Sequence, residues 1–377
     1  MNNSCRLLIS VLTVIACGVS LQAGAQEIVI GQCAPLTGSL AHTGDAMTQG
    51  VRIAIESANA AGGIHGQKIK LVQKDDGYDS ERTVRCTQDM ISKEKAVALI
   101  GYAGTGNIVE LLNRNILAAA NIPLIAPYTG GTPLRDPFNP YIFHIRASYD
   151  DETRTMVDQF VAAGLKRIAI FYQNDAFGQS AMAGAENALA LHKLKIVAKG
   201  SYEKNTENID AAVDEILKSK PQAIIMIAIT RPAALFVKQA LERSPGMQIF
   251  SISVASGEDI YRIAGDEFGR GVGITQVMPS PFSGTLKIVR DYQEAMKRHA
   301  PGQALSYASF EEYVGARVLI EGLKKAGPSP SPGAVMKALE TVKVDIGGYK
   351  VAFGPKQRTG STFVEVTIIG QNGTHLL

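Results

Sequence analysis

The chain has 377 residues, of which 46% are hydrophobic and 19% charged, and its formal net charge at pH 7 is +3. This composition is that of a well-buried globular protein and excludes an intrinsically disordered chain. The length exceeds one ordinary domain and predicts two. A net charge so close to zero provides no electrostatic basis for binding nucleic acid.

Residues 1–25 have the pattern of a secretory signal peptide. Arg6 precedes an apolar stretch over residues 7–21 that carries no charge, and the small residues Ala-Gly-Ala ending at Ala25 form a cleavage site. We therefore expect cleavage near Ala25 and a periplasmic location. Two alternatives are an uncleaved membrane anchor and a lipoprotein whose mature chain begins at Cys17.

Short apolar segments alternate with helical periodicity along the rest of the sequence. In the first half, strands are predicted over residues 27–32, 68–73, 96–101, 123–127 and 141–145, and helices over 45–60, 80–92 and 108–120. The pattern then begins again, with strands over 167–172, 195–200, 223–229 and 249–253 and helices over 178–192, 209–219 and 232–243. Repeated βα units with apolar strands predict parallel sheets covered by helices on both faces.

These two series predict an α/β protein with two doubly wound parallel-sheet lobes joined by three crossover segments. The crossovers are predicted at residues 145–151, 273–280 and 344–348. Lobe 1 is accordingly predicted to comprise residues 26–145 plus 276–345, and lobe 2 residues 146–275 plus 346–377.

Two cysteines, Cys33 and Cys86, lie in the predicted mature chain. An oxidising compartment permits a disulfide between them, and their spacing does not correspond to a zinc site. A disulfide and two half-buried free thiols both remain open, because the sequence does not show whether the Cα atoms approach within ~7 Å.

Motifs for metal or nucleophilic catalysis are absent from the sequence. The six histidines have no H-x-x-x-H spacing, and no G-x-S-x-G or G-x-x-x-x-G-K-[ST] segment is present. Asp75, Asp76 and Asp79 lack the ligand spacing of a calcium loop and are interpreted as a strand-end loop. Glu311 and Glu312 are interpreted as the solvated face of a helix. We therefore expect no enzymatic activity, no metal and no cofactor.

Residues 31–76 contain a P-L-T-G loop ending at Gly38, Gly44 at the start of the first helix, and N-A-x-G-G ending at Gly63. Together with the loop at residues 101–106 and the element order, this ordered set resembles the leucine/isoleucine/valine-binding proteins, which are type I periplasmic binding proteins. The resemblance covers essentially the whole predicted mature chain. It implies the solute-binding component of an ABC importer, which closes about a hinge on a small amino acid or a carboxylate-bearing ligand.

The same resemblance implies an inner-membrane ABC permease and its ATPase as partners, and we expect the protein to be a monomer. The alternative is an exported ligand sensor of the same fold that signals to a receptor or regulator.

The loop after the third strand is the first candidate binding element. Ala103, Gly104 and Thr105 lead into a helix N-terminus, whose unpaired N–H groups and partial positive charge favour a carboxylate. In the resembling family, this loop and the one at Tyr128 and Thr129 hold the ligand's carboxylate. The alternative is an ordinary glycine-rich turn before a helix cap.

The second lobe is expected to provide the closing wall. The resemblance places an aromatic residue over the ligand at Phe177, for which a plain core role is the alternative, and a lip residue at Thr230. Amino-acid binders of the family also have a carboxylate that pairs with the ligand's α-ammonium, but this sequence has Val254 there. Asp150 or Asp151 is a candidate replacement, with hinge hydrogen bonding or helix capping as the alternative. Without an ammonium partner, a simple or aromatic carboxylate is the expected ligand.

Overall fold

The structure is a computed structural model and describes residues 27–376. The predicted signal peptide, its cleavage near Ala25 and the two alternatives therefore lie outside the described residues. Among the helices of residues 27–376, none is long and apolar enough to span a membrane.

The first half of the chain forms a βα-repeat lobe. Its strands are β1 (Ile28–Ala34), β2 (Ile69–Asp75), β3 (Ala98–Ile100), β4 (Leu124–Ile125) and β5 (Ile142–Phe143). Its helices are α1 (Ala41–Ala60), α2 (Ser80–Ser92), α3 (Thr105–Asn113) and α4 (Ile116–Ala120), followed by a 3-10 turn at Thr132–Leu134. All five strands are parallel, in the order β2-β1-β3-β4-β5.

The next elements form the second lobe. Its helices are α5 (Tyr149–Ala162), α6 (Ala176–Leu191), α7 (Asp210–Lys218), α8 (Thr230–Arg243), α9 (Gly257–Ala264) and α10 (Asp266–Gly269). The strands between them are β6 (Ile168–Gln173), β7 (Lys199–Tyr202), β8 (Ala223–Ile227), β9 (Gln248–Ser251) and β10 (Gly273–Gln276).

The chain then returns to the first lobe before its last strands join the second. The returning elements are α11 (Lys287–His299), α12 (Tyr307–Ala326), α13 (Pro332–Leu339), β11 (Lys343–Asp345) and β12 (Lys350–Ala352). Strand β13 (Glu365–Ile369), a 3-10 turn at Gln371–Gly373 and β14 (His375–Leu376) follow. The second sheet has the order β14-β13-β10-β9-β8-β6-β7, with β13 and β14 antiparallel to their neighbours.

Helices cover both faces of each sheet. Since successive strand residues point to opposite faces, neighbouring residues of one strand pack against different helices. In the first lobe, Ile100 packs in the core under α1, α11 and α12, whereas its neighbour Leu99 packs under α2, α3 and α4. In the second lobe, Ile225 lies with α5 and α6, and Ile224 with α7, α8 and α9. Apolar residues at consecutive positions are therefore required, as the sequence pattern indicates.

The third crossover lies later in the chain than the predicted residues 344–348. Strand β12 pairs with β11, and the ring of Phe353 packs edge-on against Phe143 of β5 with 5.1 Å between centroids. The backbone N–H of His144 also donates to the carbonyl of Arg358. Residues 346–360 therefore belong with the first lobe, and the predicted boundary at 345/346 is wrong. The chain crosses between Gly360 and β13.

The first helix begins at Ala41, four residues before the predicted start at residue 45. Gly44 lies inside its first turn, where an added Cβ would be 1.9 Å from the carbonyl oxygen of Pro35. The loop before the helix thus packs directly on the helix backbone, and only glycine leaves room for it.

Cys33 of β1 and Cys86 of α2 form a disulfide, with their Cα atoms 6.1 Å apart. Of the two alternatives that the sequence left open, the structure has the disulfide. Both residues lie in the buried cluster beneath α2 and α3, so the bond joins a strand to a helix that covers it.

Candidate functional site

A small chamber lies between the two lobes at the carboxyl ends of the strands. Its volume is about 10 Å³, which is roughly the space of one water molecule. The lining residues are Leu40, Tyr78, Gly104, Thr105, Tyr128, Tyr149, Phe177, Ile229 and Val254. Five of them were predicted from the sequence: Gly104, Thr105, Tyr128, Phe177 and Val254.

The residues predicted to hold a carboxylate lie on two adjacent loops of the first lobe. Ala103 and Tyr128 are paired by a parallel β-bridge, and the hydroxyl oxygens of Thr105 and Thr129 are 2.7 Å apart. Thr105 is the first residue of α3, where backbone N–H groups lack helical partners and the helix dipole favours an anion. Ala103 and Thr129 are fully buried and lie directly behind the lining.

Gly104 is required by the shape of this loop. Its φ of +93° is in a region that side chains rarely adopt, and an added Cβ would lie 2.8 Å from the ring of Tyr78. The backbone of the cradle therefore approaches the aromatic wall more closely than any other residue would permit.

The closing wall of the second lobe is aromatic. The rings of Tyr149 and Phe177 are 5.4 Å apart, and Phe177 is buried in the same cluster as Tyr78 and Tyr128 of the first lobe. Phe177 thus both lines the chamber and packs as a core residue. Burial raises the pKa of Tyr78, Tyr128 and Tyr149, so their hydroxyls stay protonated at neutral pH and remain potential hydrogen-bond donors.

Two lining tyrosines were not predicted as site residues. Tyr78 follows the Asp75–Asp76 pair with a φ of 59°, and Tyr149 is the residue before Asp150 in the first crossover. In both segments the sequence analysis considered the aspartates and not the tyrosines. The tyrosines could have been found from their position, because one lies just beyond a strand end and the other in a crossover.

Asp150 and Thr230 lie outside the small chamber. Asp150 accepts a hydrogen bond from the hydroxyl of Thr132 at 3.2 Å, which links the lobes. Thr230 accepts from the backbone N–H of Ser256 at 3.0 Å and lines a separate surface groove. Asp151 caps α5 through a capping box with Ser148. The alternative reading of both aspartates, as hinge hydrogen-bonding and capping residues, agrees with these contacts.

Among the described residues, no charged side chain lines the small chamber. Val254, at the position where the sequence resemblance led us to expect a carboxylate, is buried against Tyr128 and Phe177 in one cluster. An ammonium group enclosed here would have no counterion, and an unpaired buried charge is costly.

The two lobes are in contact across the cleft. The hydroxyl of Ser39 donates to Asn205 at 2.7 Å, the ammonium of Lys204 donates to Asn107 at 2.7 Å, and the amide of Gln173 donates to Tyr78 at 3.2 Å. These cross-cleft bonds hold the lobes in a closed arrangement.

A much larger chamber of about 470 Å³ adjoins the small one. Tyr128 and Val254 line both. Further walls come from α1, from β2 and β10, from the loop after β9 and from the segment that leads into α12.

The sequence profile of the periplasmic binding protein family matches residues 27–371, which include both lobes and all three crossovers. This chain belongs to the periplasmic binding protein family. No group of three or more histidine, cysteine, aspartate or glutamate residues suited to a metal occurs in the described part of this binding protein.

Several known proteins resemble the binding protein over nearly their whole length. A substrate-binding periplasmic protein from Ralstonia solanacearum is 36% identical, with a TM-score of 0.89 over 93% of this chain and 99% of that one. A possible leucine/isoleucine/valine-binding protein from Rhodopirellula baltica SH 1 is 28% identical, with a TM-score of 0.89 over 95% and 98%. Leu/Ile/Val-binding protein homolog 7 of Brucella abortus (strain 2308) is 27% identical over 363 residues, covering 89% of this chain and 88% of that protein. The predicted family resemblance and fold class are thereby confirmed.

A buried charged cluster lies behind the site of the binding protein. This hinge cluster consists of Arg146, Glu152, Ser253, Thr275 and Glu311. The guanidinium of Arg146 donates to Glu152 at 3.0 Å, to Glu311 at 3.4 Å and to the hydroxyl of Ser253. Glu152 also accepts from the backbone N–H of Ser253 at 2.8 Å and from Thr275 at 2.6 Å.

The cluster joins the two lobes near their crossovers. Arg146 lies in the first crossover and Thr275 in β10 of the second lobe, just before the second crossover. Glu152 belongs to the second lobe and Glu311 to the first. The guanidinium carbon of Arg146 is also 5.4 Å from the centre of the Tyr128 ring. Its charge therefore lies directly behind the wall that both chambers share.

Glu311 and Glu312 contradict their interpretation as a solvated helix face, because they are 3% and 0% exposed. Burial raises the pKa of Glu311 to about 7 although Arg146 opposes the shift. Burial and the nearby Glu311 raise the pKa of Glu312 well above its ordinary value. The helix α12 contacts α1 along its length, so its polar residues lie inside the lobe.

The raised pKa of Glu311 predicts that the binding protein loses stability as the pH rises towards 8. Its pKa is about 7 in the folded chain against an ordinary value of 4.5. Between these values the unfolded chain has released the proton and the folded chain retains it. Stability therefore falls with rising pH, by up to about 3 kcal/mol from this group. Urea unfolding at several pH values between about 5 and 8 measures the slope.

The control for this pH effect is a variant on an exposed helix face. Glu311→Gln should reduce the slope but leave the part that Glu312 contributes through its own raised pKa. Glu294→Gln, which removes an exposed partner of Arg298 on α11, should leave the slope as in the wild type. An unchanged slope in Glu311→Gln would show that another group titrates.

Proposed function

We propose that this protein is the exported, periplasmic solute-binding component of an ABC importer and that it binds a small carboxylate without an α-ammonium group. The observation that carries the proposal is the uncharged small chamber, in which a helix N-terminus and the hydroxyl of Thr105 face an aromatic wall, with the hydroxyl of Thr129 bonded behind it. Membership of the periplasmic binding protein family supports a binding role rather than catalysis.

A carboxylate is favoured by the donors around the chamber. The first turn of α3 offers backbone N–H groups and a partial positive charge. Thr105 and Thr129 add hydroxyls that contact each other at 2.7 Å. Thr129 also accepts from the backbone N–H of Gly131 at 3.1 Å, and Thr105 is the one of the two that lines the chamber. Hydrogen bonds from such groups to an anion are stronger than bonds to a neutral acceptor.

An α-amino acid is disfavoured by the absence of a counterion. Val254 occupies the counterion position, and the nearest acidic residue of that loop, Glu258, lines the large chamber instead. Asp150 is engaged with Thr132. The proposed ligand is therefore a simple or aromatic carboxylate.

Binding is proposed to act on a hinge. The crossovers allow the lobes to rotate, which is a common mode of closure around a ligand. A ligand held by Thr105 on one lobe and covered by Phe177 on the other interacts more strongly with the closed state than with the open one, and so shifts the population to the closed state. The closed form would then dock on an inner-membrane permease that works with an ATPase.

Residues 26–377, refolded with the disulfide oxidised to remove any carried-over ligand, provide the test. Thermal unfolding is measured with butyrate, benzoate, leucine, valine and small amides. A ligand that binds only the folded state stabilises it by about 2.7 kcal/mol at a hundredfold excess over Kd. We expect a shift with the carboxylates and none with leucine or valine. A shift with leucine, or no shift with either carboxylate, would contradict the proposed ligand class.

Thr105→Val should weaken binding of the carboxylate that gives the largest shift by about tenfold or more. The reason is that a hydrogen bond to a charged group is worth about 1.5–3 kcal/mol. Thr87→Val is the matched control, because Thr87 is equally buried but bonds to Thr83 within α2. Isothermal titration calorimetry measures both. Equal affinities in the two variants would show that Thr105 does not contact the ligand.

A further inference from the structure

The large chamber has the size of a ligand site. Its volume of about 470 Å³ lies within the range of about 300–1,000 Å³ that small-molecule sites usually occupy. The small chamber, at about 10 Å³, has no room for more than a water-sized group in the closed arrangement. The two differ sharply in capacity, although they share a wall.

The shared wall consists of Tyr128 from the first lobe and Val254 from the second. Val254 is short and apolar, so it leaves open the side of the cradle that a longer acidic side chain would occupy. Beyond it, Ala255, Tyr307 and Ala308 extend the apolar lining into the large chamber. A chain of methylene groups or a ring passing this wall would remain in contact with apolar atoms.

The lining of the large chamber is rich in neutral hydrogen-bonding groups. Four glutamine side chains line it: Gln49, Gln73, Gln276 and Gln303. Gln49 lies on α1 four residues after Asp45 and three before Arg52, so the three share one helix face. Within residues 27–376, the side chain of Gln49 has no hydrogen-bond partner.

The charges around the chamber disfavour a second anionic group. Asp45 and Glu258 contribute two carboxylates to the lining and Arg52 one guanidinium. Glu258 lies 3.2 Å from the imidazole of His375 and accepts from Ser256 at 3.1 Å, and Gln49 and Gln303 add neutral amide groups to the lining.

We propose that the ligand is elongated and occupies both chambers. One oxygen of its carboxylate, a water-sized group, lies in the small chamber. Its apolar body passes Tyr128 and Val254, and a neutral hydrogen-bonding group such as a hydroxyl or amide meets Gln49 and its neighbours in the large chamber. This inference rests on the proposed function, because it extends the same carboxylate site.

Calorimetric titration of the refolded protein with butyrate, hexanoate and 6-hydroxyhexanoate tests the inference. Two additional buried methylenes should tighten binding of hexanoate over butyrate by about tenfold. The terminal hydroxyl should tighten it further, because its desolvation is offset by the glutamine side chains. Equal affinity for all three acids would overturn the inference while the proposed function stood. No binding of any of them or of benzoate would overturn the proposed function as well.

Ala308→Trp places a large ring in the large chamber alone, since Ala308 does not line the small one. It should weaken 6-hydroxyhexanoate by at least about tenfold and leave butyrate within about threefold. Ala211→Trp, at an exposed position of α7, is the matched control. Gln49→Leu on α1 is a second variant. It should remove the preference for 6-hydroxyhexanoate over hexanoate. If both variants keep the wild-type preferences, the ligand does not reach the large chamber.

Discussion

Replacing Arg146 by methionine should lower the free energy of unfolding by about 3–5 kcal/mol, because it leaves buried carboxylates without their cation. Arg146 is fully buried and donates to Glu152 and Glu311. Burial opposes its charge, but the two facing glutamates outweigh this effect and raise its pKa. Methionine replaces the aliphatic part of the arginine side chain and removes the guanidinium. The loss of free energy of unfolding therefore reflects mainly the missing charge and not a large cavity. Urea unfolding at neutral pH measures it.

An exposed arginine provides the control for this substitution. Arg243 pairs with Asp214 at 2.7 Å, and the two side chains are 47% and 56% exposed. Arg243→Met should therefore cost no more than about 1 kcal/mol. The double variant Arg146→Met with Glu311→Gln should recover part of the loss, because one of the stranded carboxylates is then neutral. A loss below about 1 kcal/mol in Arg146→Met itself would show that the hinge cluster is unimportant for stability.

Removing the disulfide should be the other large effect. The bond between Cys33 and Cys86 closes a loop with a sequence separation of 53. The chain-entropy model gives a loss of about 4 kcal/mol for a loop of this length. The double variant Cys33→Ala with Cys86→Ala should therefore unfold at a clearly lower denaturant concentration than the oxidised wild type. Equilibrium unfolding in urea measures the difference.

Reducing the wild type distinguishes the effect of losing the disulfide from the effect of replacing the cysteine side chains. Both cysteines are buried among apolar residues, and alanine leaves a little unfilled space at each position. Wild-type protein unfolded with reductant should lie close to the double variant, whereas reductant should not change the double variant at all. If reduced and oxidised wild type unfold at the same denaturant concentration, the bond does not stabilise the fold.

The βα repeats and the two-lobe architecture could be predicted from the sequence because they depend on local patterns. A buried parallel strand needs several consecutive apolar residues, as in β8, and a covering helix needs apolar residues at helical spacing. Where a predicted element differs from the structure, the cause is also local. The predicted helix over residues 108–120 is interrupted because Asn115 adopts a φ of 55° and ends one helical segment before the next.

The candidate site was predictable to the extent that topology positions it. Ligands of open α/β sheets bind beyond the carboxyl ends of the strands, and Thr105, Tyr128, Phe177 and Val254 all follow strands directly. Tyr149 was missed because it lies in a crossover rather than just beyond a strand. The large chamber was missed because most of its walls come from α1, from α12 and from the loop after β9.

The sequence by itself determined the fold class, the family resemblance and most of the small chamber, since these follow from periodicity and from strand-end positions. Only the tertiary structure decided the environment of the polar residues. Glu311 and Arg146 are 165 positions apart, and nothing local distinguishes a solvated glutamate from one that faces a buried guanidinium. The same holds for Cys33 with Cys86 and for Phe353 with Phe143, whose contacts form only when distant segments are brought together.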